Sequence, residues 1–140
     1  MFSEKIKIDI KSSEYSSIVV SGEQIFKSNK RGVAPILDLI DRDDDVLNGA
    51  IAYDNVIGKA AAMLLIKYKV SQIYALIISQ HACDLLDKYG VHYECEQKVS
   101  YIINRAGDGM CPLETEVLEM TDIEGVEERI RARIKILMSK

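Results

Sequence analysis

The 140 residues are 48% hydrophobic and 29% charged, with a net charge of −4. That balance is the one expected of a soluble globular protein; it excludes a disordered chain, and no apolar run approaches the ~20 residues that a bilayer helix needs. The acidic surplus also argues against an extended nucleic-acid surface, which needs clustered Lys and Arg to displace counterions.

In chain order, the first sixteen residues read as an N-terminal strand or arm. KIKIDIK, Lys5 to Lys11, alternates apolar and charged residues with the period of two that marks a half-buried strand, its Ile6, Ile8 and Ile10 facing the core. Its charges interrupt any signal-peptide core, and three unevenly spaced cysteines make no disulfide framework, so the sequence reads as cytoplasmic. SSEYSS is a turn-like break. IVVS and QIFKS, flanking Gly22, read as two short strands of a hairpin. Val33 to Ile40 has helical spacing, with Pro35 tolerated in a first turn whose amides need no partner. The acidic run DRDDD that follows lacks calcium-loop spacing and reads as a solvated helix end.

GAIAYD is the next strand, followed by the helix of DNVIGKAAAMLLIKYK, for which Asp54 or Asn55 is the expected cap. QIYALIIS is a continuous apolar strand of the kind covered on both faces, HACDLLDKYG a helix closed by Gly90, and VHYEC another strand. Strand, helix, strand, helix, strand with short connections builds a layered α/β sheet. Residues 97–111 are less regular. Pro112 begins a short helix through Glu119, and TDIE has capping-box spacing at the head of a last amphipathic helix over residues 121–138. Val126, Ile130, Ile134 and Leu137 recur on one face of it, packing on the core or on a subunit partner, which makes a homo-oligomer one expectation. No internal repeat or long linker divides residues 1–140, so one domain is expected.

Ligands of open α/β sheets bind beyond the carboxyl ends of strands, where helices present free amides. Three junctions qualify: YDNVIGK, ISQHAC and GDGMCPLE. At the first, Gly58 and Lys59 suggest an anion site, with Asp54 as a further ligand-binding residue, although no glycine-rich phosphate loop precedes them and Gly58 equally suits close helix packing. At the second, Ser79 can line the site or simply cap its helix. His81 and Cys83 are two apart, off a common helix face, so a core Cys83 and a surface His81 outweigh a metal pair, and no metal or other cofactor is expected. At the third, Gly107 and Gly109 permit a tight turn around Asp108. Cys111 precedes Pro112 at a helix N-terminus, where the positive partial field favours thiolate, and Glu114 stands near it as an acid or base. The structural alternative is an elaborate turn in which Arg105 pairs with Asp108 or Glu114 and Cys111 is buried. Cys95, inside a strand, reads as core.

DNVIGKAAAMLL, YALIIS and YIINRAGDGMCPLE together resemble the prokaryotic family catalogued as domain of unknown function 1893, over about Val19 to Met120, with NR...GDGMCPLE as the most specific part. That resemblance implies a three-layer α/β/α sandwich of the cytidine deaminase-like group, with a mixed central sheet and a pocket at helix N-termini. The chain departs from zinc deaminases where it matters. Their chemistry needs H-x-E at one helix start and P-C-x-x-C at the next, and the corresponding stretches here are GKA and SQHAC. Zinc-dependent deamination is therefore disfavoured. The expectation is a small anionic, nucleotide-like ligand held by Lys59 and Arg105, oriented by Asn104, and lying between Ser79 and the Asn104–Glu114 loop. If there is chemistry, Cys111 is the nucleophile and Glu114 moves the proton. The alternative is a non-catalytic regulatory or interaction module using the last helix.

Overall fold

A computed structural model describes residues 2–139; Met1 and Lys140, the outermost residues of the expected domain, lie outside the described residues. Five strands form one mixed sheet in the order β2-β1-β3-β4-β5. The hairpin β1 (Ser17–Ser21) and β2 (Gln24–Ser28) is antiparallel, as read from the sequence, and β1 also pairs antiparallel with β3 (Ile51–Ile57). β4 (Gln72–Ser79) and β5 (His92–Val99) continue the sheet in parallel, joined through helices. The sheet's two edges are thus β2 and β5.

The result is a three-layer α/β/α arrangement with unequal layers. One face carries α2 (Ala34–Ile40), α3 (Lys59–Lys67), α4 (Gln80–Lys88), α5 (Pro112–Val117) and α6 (Val126–Met138) over the main core, in which Met63, Leu64, Ile73, Leu86 and Ile130 are fully buried. α3 is apolar on almost every side, and Lys59 to Ile66 are all buried. Such a helix belongs in the middle of a layer rather than at its rim. The other face is covered by a single helix, α1 (Glu4–Lys11), over a smaller core of Phe2, Ile10, Ile18, Tyr53 and Tyr74.

That helix corrects the expected N-terminal strand. Alternation with period two also contains every i, i+4 pair, so Ile6 and Ile10 satisfy a helical face as well as a strand face. The tie is broken at the ends. The Ser3 hydroxyl accepts a hydrogen bond from the Ile6 amide, Glu4 occupies the first turn and Lys11 the last, all favourable to a helix and its dipole. Ile8 is left 64% exposed, where a strand would have turned it inward. The Ser3 amide donates to the Tyr53 hydroxyl at 2.8 Å and Phe2 packs edge-on to the Tyr53 ring, which ties this segment to the sheet.

Two further boundaries differ from expectation. β3 runs through Ile57, so Asp54 and Asn55 lie within a strand and cap nothing; the residue before α3 is Gly58. TDIE is not the first turn of α6. The Asp122 carboxylate accepts from the Glu124 amide at 3.0 Å, closing a local turn, and Gly125 at φ 72° leads into a helix that starts at Val126. The apolar stripe of α6 is used internally at its start, with Val126 and Ile130 fully buried against the main core and Ile134 packed beside them. No helix among the described residues is long and apolar enough to cross a membrane.

Candidate functional site

The three helix starts do meet, and the group at their meeting point is Glu114. It is 1% exposed, in the first turn of α5. Its Oε2 accepts from the Lys59 backbone amide at 2.6 Å and from the Ser79 hydroxyl at 2.6 Å, and its Oε1 accepts from the Ile102 amide at 2.7 Å. Gly58 has no side chain with which to cap α3, so a carboxylate 55 residues beyond Lys59 takes that place, favoured by the helix dipole. Ser79 completes the arrangement from the end of β4, as the N-cap of α4: its hydroxyl accepts from the Ala82 amide at 3.1 Å while donating to Glu114.

Gly58 is fitted to this junction by size. At φ −93° and ψ −179° its backbone suits any residue. A Cβ there, however, would lie 3.0 Å from Cγ1 of Ile102 and 3.1 Å from Oε2 of Glu114. Gly58→Ala should therefore destabilise the chain by about 1–3 kcal/mol, the usual effect of overpacking. Chemical denaturation would measure this, and an unchanged midpoint would show that the Ile102 segment can simply move aside.

The family model described as domain of unknown function DUF1893 matches residues 5–134, nearly the whole chain. The chain belongs to that family. A solved DUF1893 family protein from Thermotoga maritima is 32% identical, and the likeness covers 97% of this chain and 92% of that one with a TM-score of 0.80. No curated protein matches.

In this DUF1893 domain the residues singled out in the sequence divide into two groups. Gly58, the Lys59 amide, Ser79 and Glu114 come together. The remainder do not join them. The Lys59 ammonium turns to the other end of α5, donating to the carbonyl oxygens of Leu118 at 2.7 Å and Met120 at 2.6 Å, a favourable place for a cation beside a helix C-terminus. Burial lowers its pKa, with Glu119 and Glu114 pulling the other way. Arg105 lies in the loop that leads into the N-terminal end of α5, is exposed, and has no ion pair among the described residues. The two cations expected to clasp one anion therefore lie at opposite ends of α5.

Asn104 and Asp108 form the loop that holds Arg105 out. The Asn104 side chain accepts from the amides of Gly107 and Asp108 at 2.8 and 3.2 Å and donates to the Asp108 carboxylate at 3.0 Å. The hairpin is closed by the Asn104 amide on the Gly109 carbonyl and the Cys111 amide on the Ile102 carbonyl. Asp108 thus pairs with Asn104 and not with Arg105. Cys111 is half-buried at the residue before α5, with no side-chain bond to the helix. Cys83 is a core residue whose thiol burial pushes up, and His81 is half-buried. No cluster of three or more His, Cys, Asp or Glu side chains is placed to hold a metal among the described residues.

Two features were not read from the sequence. The Ile102 amide and the Leu118 and Met120 carbonyls are backbone groups, and no residue type announces them. Asp54, expected as a cap and as a ligand-binding residue, proves to be a buried strand carboxyl, 7% exposed, whose Oδ1 accepts from the Val56 amide at 3.3 Å.

Proposed function

We propose that this chain acts by binding and not by turnover: a non-catalytic regulatory or interaction module whose ligand is a small organic anion. The observation that carries this reading is that both oxygens of the buried Glu114 carboxylate are already bonded within the chain. A proton-transfer group needs an oxygen within reach of substrate. Both oxygens of Glu114 are engaged by three donors from this chain, at 1% exposure. The convergence that in an enzyme would make an active centre here fastens three segments of the fold. Zinc deamination finds no support either, since GKA and SQHAC supply neither the ligands nor the acid that chemistry requires.

The Cys-dependent alternative retains one point in its favour. Cys111 stands directly ahead of Pro112 and is half-buried, not sealed. Site-resolved alkylation followed by mass spectrometry separates the two readings. The expected result is a Cys111 rate unchanged by millimolar nucleoside monophosphate or sugar phosphate. Protection of Cys111 by either compound, together with its chemical conversion, would overturn the binding-only reading.

A further inference from the structure

Val126 and Ile130 fix the inner side of α6 in the main core. Most of its charged side chains find partners within the chain: Glu127 pairs with Arg131, Arg131 also with Asp41, and Arg129 and Arg133 both with Glu116. Two charged groups of the helix have no ion pair among the described residues, Glu128 and Lys135, and both are exposed. They are of opposite sign. Seven residues apart, they project from the same side of the helix about 10 Å from one another, too far to pair within one copy. Ala132 lies exposed between them, and its single methyl keeps the middle of this ridge low.

Apolar side chains flank the ridge on both sides. Ile136 is 49% exposed, and Met138, at 81%, is the most exposed large apolar side chain among the described residues. At about 100° per residue these two fall on opposite flanks of the line from Glu128 to Lys135. Met138 also borders a groove of about 400 Å³ that it shares with Ile134 and with Leu37 of α2. A single exposed apolar residue needs no explanation, but two beside a groove form a patch.

The charges say what fits this patch. A second α6 laid antiparallel across Ala132 brings Lys135 of each helix to Glu128 of the other, and the two helix dipoles oppose. A parallel arrangement in register would set Glu128 against Glu128 and Lys135 against Lys135. The surface is therefore complementary to itself in one orientation, the requirement of a two-fold pair.

We infer that a second copy of this chain docks here, in an antiparallel pairing of α6 with α6 in which Glu128 of each copy meets Lys135 of the other. Burial of Ile136 and Met138 supplies attraction, and the ion pairs set the orientation. One helix on one helix is a smaller contact than a permanent dimer has, so the association is reversible, with Kd on the order of 0.1 mM. This pairing is separate from the anion-binding reading, which is decided at Cys111; either can fail without the other.

Sedimentation equilibrium of the full chain, from about 10 μM to about 1 mM, brackets that affinity and tests the pairing. The expected result is a monomer–dimer equilibrium that weakens as salt is raised. Glu128→Lys and Lys135→Glu each set like charges opposite one another and should weaken it about tenfold, while the double variant Glu128→Lys with Lys135→Glu regains the wild-type affinity. Ile136→Ser should weaken it about three- to tenfold. All these positions are exposed, so the variants keep the fold. A chain that stays monomeric throughout, single reversals that associate as the wild type does, or a double reversal that stays weak would each overturn the pairing and leave this ridge to solvent or to another partner.

Discussion

Glu114→Ala is expected to lower the melting temperature by roughly 10–15 °C. The substitution leaves the Lys59 amide, the Ser79 hydroxyl and the Ile102 amide without their acceptor, the first two of them buried. Each donor left unpaired costs about 1–3 kcal/mol, and the three together about 3–5 kcal/mol once neighbours relax. At this chain length one kilocalorie corresponds to roughly 3–4 °C. Glu114→Gln preserves the shape but presents an amide NH₂ to one set of donors, so it should fall between alanine and the wild type. Thermal unfolding followed by circular dichroism would measure both. An alanine variant melting within a degree or two of the wild type would mean that the junctions are fastened by something other than this carboxylate.

The second large effect is a loss of stability with rising pH that Asp54→Asn abolishes. Burial pushes the Asp54 carboxyl up to about 8, opposed only in part by the Val56 and Asn55 amides. In the unfolded chain the same group titrates near 3.9. Below about pH 4 it is protonated in both states and has no effect. Between about pH 4 and pH 8 the folded chain keeps a proton that the unfolded chain has released, so stability falls as pH rises, by a total on the order of 5 kcal/mol. Above about pH 8 the loss is complete. Glu96, held low by the Tyr74 hydroxyl, acts in the opposite sense at acid pH, so the informative quantity is the difference between the wild type and Asp54→Asn. That difference should be small near pH 4 and widen steadily toward pH 9, with the asparagine variant the more stable. Parallel curves would place Asp54 in water, not in the sheet.

Legibility in the sequence followed the nature of each signal. The parallel half was readable because QIYALIIS and the stretch around KAAAMLLIK are apolar on every side, which only a central strand or helix tolerates. KIKIDIK reads as a strand because alternation alone does not separate a strand from a helix whose i and i+4 residues are buried; Ser3, two residues upstream, decides for the helix. At the junction the side chains Ser79 and Glu114 were legible as types that belong at helix starts. Their partners were not, since a backbone amide such as that of Ile102 carries no signature in the residue letter. The direction of Lys59 was also hidden, because its position at the head of α3 says nothing about the carbonyls 59 and 61 residues later that hold its ammonium.

The two borders of the sheet bear on how the protein behaves when concentrated. β5 presents His92, Glu94, Glu96, Gln97 and Lys98 to solvent, and β2 is five residues long with Lys27 near its end. An incoming strand would have to strip water from those charges before forming a single ladder bond. Growth of the sheet from one molecule into the next is thereby discouraged on both flanks, and the chain is guarded against fibrous aggregation at its most exposed backbone.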